Sequence, residues 1–332
     1  MKDYLIKRLL LMIPTLFGIT LITFAIIQLA PGSPIENKLS LDQGIKAETI
    51  TLEIIEETKK LYGLDKPIHV RYLIWLKQIV TLDFGNSYKD HRPVIDKIME
   101  RLPITITLSF LSIFFTYLIS IPIGAYSALK QWSLSERVIT FVLFVLYSVP
   151  SFWMAIILIY FLGGGDYWDI FPIYGIHSQG YENFSFFKKF IDFMWHITLP
   201  VFCLTYASFA SLSRFQKGSL LEVLREDFIR TAYAKGLDSR VVLYKHALRN
   251  SVIPIVTIMA SILPSLIGGS VIIETIFSIP GIGKLGFEAI LSRDYPIIMA
   301  IATISAFLTL IGILVSDLAY SVIDPRINFE KN

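Results

Sequence analysis

The sequence predicts an all-α, polytopic membrane protein with six transmembrane helices. Three observations lead to this fold class. The chain of 332 residues is 54% hydrophobic, and its mean hydropathy is +0.61. It contains six long runs that are almost free of charged residues. Its one cysteine, Cys203, excludes a disulfide framework within the chain.

Each of the six runs is long enough to cross a membrane. A helix needs about 20 mostly apolar residues to span about 30 Å of hydrocarbon, and the runs lack the short alternating pattern of barrel strands. We therefore predict transmembrane helices within residues 9–30, 102–129, 138–165, 193–213, 250–273 and 295–316. Two of these runs exceed the membrane thickness, so we expect Arg101 to Pro103 and Gly163 to Gly165 to form interfacial turns.

The distribution of Lys and Arg predicts the orientation of the chain. With the N-terminus in the cytoplasm, 15 Lys and Arg residues fall in 68 inside residues, against 15 in 119 outside residues. The inside segments are 1–8, 130–137, 214–249 and 317–332. Because basic residues are enriched in cytoplasmic loops, we predict a multi-pass membrane protein with both termini in the cytoplasm.

The chain divides into four segments under this orientation. Residues 1–30 form a short cytoplasmic N-terminus and the first helix, and 31–101 form an extracytoplasmic lobe. Residues 102–322 form a five-helix core, and 323–332 form a cytoplasmic tail. Within the lobe, a broadly helical pattern is carried by Leu52, Ile55, Leu61 and Leu64.

A second outside loop, residues 166–192, is rich in aromatic residues. Two interpretations are open: an aromatic belt at the membrane interface, or a contact surface for a partner or substrate. The aromatic residues are Tyr167, Trp168, Phe171, Tyr174, Tyr181, Phe184, Phe186 and Phe187.

Several classes of function are disfavoured by the sequence. No GxxxxGK[ST] loop is present, so the chain does not itself present this ATP-binding motif. Five scattered histidines indicate neither a metal site nor a catalytic constellation, and no cofactor is predicted. An ion-coupled secondary transporter remains an alternative, but it predicts an internal repeat and a midplane ionisable residue. Glu274 and Asp317 lie at span ends instead.

The loop 214–249 has the pattern of two short amphipathic helices. The first apolar stripe is Leu220, Leu224, Phe228 and Ala232. Gly236 can end this helix in a left-handed conformation, and Asp238 or Ser239 can cap the next helix. The second stripe is Leu237, Val241, Tyr244 and Leu248. Basic residues would suit a lipid surface, but interspersed acids and a cluster of small residues favour a protein groove.

These residues resemble a known family. RTAYAKGLDSRVVLYKHALRN is similar to the cytoplasmic "EAA" loop of ABC importer permeases of the dipeptide, oligopeptide and nickel branch. The remainder of the chain carries further motifs of that branch in order: LLLMIPTLFGITLITFAIIQLAPGSP, DFGNS, SIPIG, WHITLP, IFSIPGIGKLGFEAI, RDYP and DPRI. YGLDKPIHVRY, FPIYG and SDLAYSVIDPRINFE most resemble the Yej-type permease, associated with uptake of peptides and microcin C.

The resemblance implies a type I ABC importer permease fold and a non-enzymatic subunit located in the cell inner membrane. Such a subunit forms half of a pathway for peptides or peptide-like compounds, with a nickel-chelate importer as an alternative. The implied partners are a second permease subunit, two cytoplasmic ATPase subunits or one fused ATPase, and an extracytoplasmic substrate-binding protein. The implied coupling residues are Arg230, Thr231, Ala232, Ala234, Lys235, Gly236 and Leu237. Tyr233 departs from the family, which often has Arg there.

Overall fold

A computed structural model describes residues 2–29, 65–164, 167–262 and 268–323. The described residues form helices joined by turns and contain no β-strand. The α-helices are α1 Lys2–Leu29, α2 Ile68–Thr81, α3 Val94–Leu129, α4 Leu134–Ser148, α5 Ser151–Leu162, α6 Phe186–Val223, α7 Asp227–Ala234, α8 Ser239–Val241, α9 Arg249–Ile262, α10 Val271–Ile276, α11 Ile282–Ser292 and α12 Tyr295–Ile323. A 3-10 helix, Tyr181–Asn183, precedes α6, and a π-helix, Val242–Leu248, joins α8 to α9.

The helices confirm the all-α membrane class. Four of them have stretches long and apolar enough to cross a membrane: Ile6–Leu29, Val94–Leu129, Phe186–Val223 and Tyr295–Val315. The bent pair of α4 and α5 gives a fifth span if the two are counted together. For the predicted span 250–273, α9 covers the first part, and residues 263–267 lie outside the described residues. The count of six therefore stays a prediction.

The predicted span 138–165 is bent rather than straight. α4 and α5 meet at an angle of 100°. Pro150 has no amide hydrogen and restricts the preceding residue to extended conformations, and Val149 has ψ 125°. The hydroxyl of Tyr206 donates a hydrogen bond to the carbonyl oxygen of Val149. The break thus follows from the proline and is stabilised by a side chain of α6.

Two further boundaries differ from the sequence prediction. Arg101 to Pro103 do not form a turn, because α3 runs without interruption from Val94 to Leu129. α6 likewise continues past residue 213 to Val223. At about 1.5 Å per residue, the 38 residues of α6 extend about 57 Å, so the helix is longer than a membrane is thick. The prediction for the other turn holds at its start, where α5 ends at Leu162 and Gly163 follows.

The described residues fall into two compact units. The first takes its described residues from 1–103 and 281–311, and the second from 104–280 and 312–328. In the first unit, α1 packs on α2 through stacked rings of Phe24 and Trp75. Its core is formed by Phe84, Val94, Ile98, Ile282, Leu285, Ala289, Ile297 and Ala300. The predicted helical pattern of Leu52, Ile55, Leu61 and Leu64 lies outside the described residues.

The loop 82–93 in the first unit is fastened by a buried carboxylate. Asp294 accepts hydrogen bonds from the hydroxyl of Ser87, from the Tyr88 amide at 3.0 Å and from the Lys89 amide at 3.4 Å. Asp294 is 1% exposed. The motifs DFGNS and RDYP, far apart in the sequence, therefore meet through one side chain.

The second unit is organised around α6. Its largest apolar cluster joins α6 to α3, α5, α10 and the segment that follows α10. The buried members are Ile104, Leu108, Ala155, Ile197, Leu199, Val201, Cys203, Ile273, Phe277 and Ile279. Toward its C-terminal end α6 also packs on α9, and there it leads directly into the loop 214–249.

Candidate functional site

The loop 214–249 is helical for most of its length. α6 occupies its first residues as far as Val223, α7 covers Asp227–Ala234, and α8 begins at Ser239. A helix therefore lies on each side of a turn around Gly236, as the sequence predicts. The second is not a separate short helix, because α8 continues without a break through the π-helix into α9.

The turn at Gly236 has the geometry of a glycine-dependent helix end. Gly236 has φ +76°, a conformation that residues with a Cβ adopt only with strain. Its amide donates to the carbonyl oxygen of Tyr233 at 2.9 Å, and the Leu237 amide donates to that of Ala232 at 3.4 Å. This pair of bonds is a Schellman motif. Of the two predicted caps for the next helix, Asp238 is the one used, since its carboxylate accepts from the Arg240 amide at 2.8 Å.

The inner face of α7 packs on helix ends of the same unit. Its buried residues are Ile229 and Ala232. They form a cluster with Ala128 of α3, Leu220 of α6, and Val242 and Ala247 of the π-helix. The predicted stripe was wrong in part: Phe228 is exposed, and Leu220 and Leu224 precede the start of α7. The first stripe was predicted for a single helix, but α6 and α7 are separate helices. The four-residue spacing is therefore interrupted at Leu224 to Glu226, between the two helices.

The seven residues that the family resemblance implies differ in whether they are buried or exposed. Ala232 is 6% exposed and belongs to the inner face. The other six lie on the exposed side of α7 and its turn: Arg230, Thr231, Ala234, Lys235, Gly236 and Leu237. Arg230 forms an ion pair with Asp227 at 3.3 Å, but both side chains are solvent-exposed, and such pairs contribute little stability. The exposed six all lie within residues 230–237 and are accessible to a partner.

The second predicted stripe was also wrong, and its failure has a physical cause. Val241 and Tyr244 are exposed, whereas Val242 and Ala247 are buried. The buried pair is five residues apart because this segment is a π-helix, whose hydrogen bonds run from i to i+5. A period of 3.6 residues cannot identify the inner face of such a segment.

Polar contacts that the sequence analysis missed fix the base of the loop. Lys217 donates to the carboxylate of Glu136 at 2.7 Å, and Glu136 is buried. The Gln216 side chain donates to the Ser251 hydroxyl at 2.9 Å. The pattern of Ser133 followed three residues later by Glu136 could have indicated the start of α4, and Ser133 does cap that helix. Nothing in the sequence marks Lys217 as its partner.

Close packing at Gly124 brings α3 against α6 beside these contacts. A Cβ on Gly124 would lie 2.6 Å from both Cβ of Gln216 and the carbonyl oxygen of Ser213. Such a distance is far below an ordinary van der Waals contact, so only glycine fits without displacement. Steric fit therefore holds α3 against α6 at this point, while the polar contacts described above join α6 to α4 and to α9.

A groove of about 440 Å³ lies beside the start of α7. It is lined by Gly218, Leu221, Glu222, Arg225, Glu226 and Asp227. Three carboxylates against one guanidinium make the groove suited to a basic group of a partner. In the sequence, these acids indicate only that a lipid surface is a poor fit for the loop.

Two known protein families together match nearly the whole chain. Residues 120–329 match the family described as "Binding-protein-dependent transport system inner membrane component". Residues 1–109 match the family described as "Binding-prot-dependent transport system membrane comp, N-term".

Several individual proteins are similar over their full length. The oligopeptide transport system permease protein AppB of Bacillus subtilis (strain 168) is 42% identical, with 99% of this chain and 100% of AppB covered. The dipeptide transport system permease protein DppB of Alkalihalophilus pseudofirmus is 37% identical, with the same coverage. The inner membrane ABC transporter permease protein YejB of Escherichia coli O157:H7 is 35% identical, again with 99% and 100% covered.

Proposed function

The chain belongs to the family of binding-protein-dependent transport system inner membrane components, and we propose that it is the permease subunit of an ATP-driven peptide importer. It forms half of the translocation pathway, and a second permease subunit forms the other half. ATP is hydrolysed on two cytoplasmic ATPase subunits or one fused ATPase, and an extracytoplasmic binding protein delivers the substrate.

Peptides are the substrate class that the relatives support. The names of AppB and DppB state oligopeptide and dipeptide transport for those proteins, and both are similar to this chain from end to end. Transfer of the substrate class to this chain is our inference. A nickel-chelate importer of the same branch has no such support among these relatives.

Coupling to the ATPase is assigned to the exposed face of α7. One observation carries this assignment: the inner residues of α7 pack on the ends of α3 and α6, while its outer residues are exposed. We propose that Arg230, Thr231, Ala234, Lys235, Gly236 and Leu237 face the ATPase. Ala232 acts from the inner side, where it holds α7 against the membrane helices. A movement of the ATPase would then displace α7 and the helix ends below it.

The proposed arrangement in the membrane follows from this assignment. The loop 214–249 and both termini lie in the cytoplasm, in agreement with the distribution of basic residues. The lobe 31–101 and the aromatic loop 166–192 face the binding protein, and residues 102–322 form the permease core between the first helix, within 1–30, and the tail, 323–332. Exposed Phe186, Phe187 and Trp168 give the aromatic loop an apolar surface, suited to a partner or to the membrane interface.

Transport by the reconstituted complex tests the function. The complete complex in proteoliposomes, with its binding protein, is expected to accumulate short peptides only when ATP is supplied. Gly236→Trp is expected to insert normally but to associate weakly with the ATPase or to hydrolyse ATP without uptake. Gly236→Asn is the matched control, since Asn tolerates the left-handed conformation and adds far less bulk. Full substrate-dependent transport by Gly236→Trp would contradict the coupling assignment, and absence of peptide uptake by the wild type would contradict the substrate class.

A further inference from the structure

A cavity of about 220 Å³ lies within the second unit and has an unusual wall for an apolar membrane helix. One face of α3 lines it with four hydroxyl side chains, from Thr105, Ser109, Ser112 and Thr116. Their spacing of four, three and four residues places them on the same side of the helix. From Thr105 to Thr116 the stripe extends about 16 Å, at about 1.5 Å per residue.

The cavity also contains a buried carboxylate. Glu274 lines it and is 1% exposed. Its Oε1 accepts hydrogen bonds from the Thr105 hydroxyl and from the Ser270 amide, each at 3.3 Å. A carboxylate removed from water is costly unless the site supplies compensating donors. Ionisable residues that face a cavity within membrane proteins commonly mark the route of a substrate or ion.

The cavity also contains a polar group that, unlike Glu274, has no hydrogen-bond partner within the part of the chain that the structure describes. The hydroxyl of Tyr117 is buried and forms no hydrogen bond. Buried polar groups in folded proteins are nearly always hydrogen-bonded to protein or water. The Tyr117 hydroxyl is therefore available to a molecule that enters the cavity.

We propose that this cavity binds the N-terminal ammonium group of a peptide in transit, with the Glu274 carboxylate as its acceptor. This inference rests on the proposed function and specifies how the permease would recognise its substrate. A carboxylate accepts hydrogen bonds and does not donate them, and an ammonium group offers three donors. Charge-assisted bonds of this kind are the strong ones, and the hydroxyl stripe supplies further acceptors in place of water.

The size of the cavity restricts what it can hold. At about 30 Å³ per water molecule, 220 Å³ corresponds to about seven waters. This volume suits the first one or two residues of a peptide. The remainder of the peptide would extend out of the cavity, so the site would recognise the amino end of the peptide and not its length.

Glu274 also has a local structural role that the test must separate from substrate binding. The hydroxyl of Ser270 accepts from the Ile273 amide at 3.4 Å, while Glu274 accepts from the Ser270 amide. These reciprocal bonds stabilise the start of α10. Glu274→Gln keeps the side-chain oxygen that accepts both bonds and removes the negative charge, so it is the appropriate substitution.

The test compares uptake of trialanine and N-acetyl-trialanine by the complete transporter in proteoliposomes. The same binding protein delivers both peptides to every variant, so its own preference cancels when variants are compared by the ratio of the two rates. We expect Glu274→Gln to lower the ratio of trialanine uptake to N-acetyl-trialanine uptake at least about fivefold. The reason is that a hydrogen bond between an ammonium group and a carboxylate is about twice as strong as one between neutral groups. Tyr117→Phe is expected to slow trialanine uptake by a smaller factor.

The outcomes separate this inference from the proposed function. An unchanged ratio in an assembled Glu274→Gln transporter overturns the inference and leaves the peptide importer intact. If Glu274→Gln does not assemble, the same ratio is measured for Tyr117→Phe and Ser109→Ala. An unchanged ratio in both variants overturns the inference. Failure of the wild type to transport short peptides contradicts the proposed function itself.

Discussion

The loop 82–93 and the segment 224–237 within the loop 214–249 are held in place in opposite ways. The first is held by one buried carboxylate, Asp294, which accepts from a side chain and two backbone amides. The second carries α7, which is held by the small apolar contacts of Ile229 and Ala232 and by the turn at Gly236. In the first segment, directed hydrogen bonds hold the loop in place. In the second, apolar packing holds one face of a short helix and leaves the other face exposed for a partner.

Removal of the carboxylate is expected to have the largest effect on stability. Asp294→Ala would remove the carboxylate that accepts from the buried Ser87 hydroxyl and from the Tyr88 and Lys89 amides. The Lys89 amide would keep the Ser87 hydroxyl oxygen as an acceptor at 3.3 Å. An unsatisfied buried polar group costs about 1–3 kcal/mol, so we expect a loss of about 3 kcal/mol, seen as a lower unfolding temperature of the purified protein in detergent. Asp65→Ala, at an exposed position, is the matched control. Equal unfolding temperatures for the two variants would contradict the fastening role of Asp294.

A pair of alanines tests whether the two faces of α7 differ. Ala232→Leu forces three extra heavy atoms into a packed cluster, and overpacking costs about 1–3 kcal/mol. Ala234→Leu places the same atoms on the exposed face and is expected to change stability by less than about 0.5 kcal/mol, but to weaken co-purification with the ATPase. Thermal unfolding and co-purification measure the two effects. Equal destabilisation by both substitutions would show that the faces are not distinct.

The turn at Gly236 gives a smaller and purely conformational effect. A Cβ at this position would meet no atom within 4 Å, so the strain of φ +76° is the only cost. We expect Gly236→Ala to lower stability by about 1–2 kcal/mol, and Gly236→Asn to lower it less. Gly218→Ala, at a helical glycine with open space, is expected to be neutral or stabilising. A neutral Gly236→Ala would indicate that the turn adapts.

The smallest expected effect is a dependence on pH in the loop 82–93. Burial raises the pKa of Asp90, but hydrogen bonds from Lys97 and Ser87 outweigh it and lower this pKa below its ordinary value of 3.8. A lowered pKa contributes stability that is present above pH 3.8 and is lost as the pH falls through the folded-state pKa. Unfolding temperatures of wild type and Asp90→Asn should therefore converge in acid. A constant difference down to the lowest accessible pH would exclude this contribution.

The sequence predicts features that depend on local chemistry and misses those that depend on tertiary contacts. Apolar runs indicate the membrane helices, and Gly236 and Asp238 indicate a helix end and a cap, because each signal lies within a few residues. The pair of Lys217 and Glu136 joins positions 81 residues apart, and no local pattern marks it. The same limit applies to Glu274, which the sequence places at a span end and which contacts Thr105, 169 residues away.

The helix faces of the loop 214–249 show a second limit. The sequence suggests a single 3.6-residue period, but α6 ends and α7 begins within the first stripe, and the second stripe falls in a π-helix. Neither change is marked by a local pattern in the sequence. The family resemblance selects a set of residues that includes Ala232, and the burial of that residue distinguishes it from the exposed six.

Cysteine cross-linking to the ATPase measures the central claim most directly. Cys203 is buried, so a cysteine introduced in α7 can be modified against a low background. In the assembled complex, Ala234→Cys is expected to cross-link to the ATPase subunit through a short bifunctional reagent, and Ala232→Cys is expected not to. Cross-linking of Ala232→Cys in place of Ala234→Cys, or of neither residue in a complex that hydrolyses ATP and transports peptide, would contradict the assignment of the exposed face of α7 as the ATPase contact.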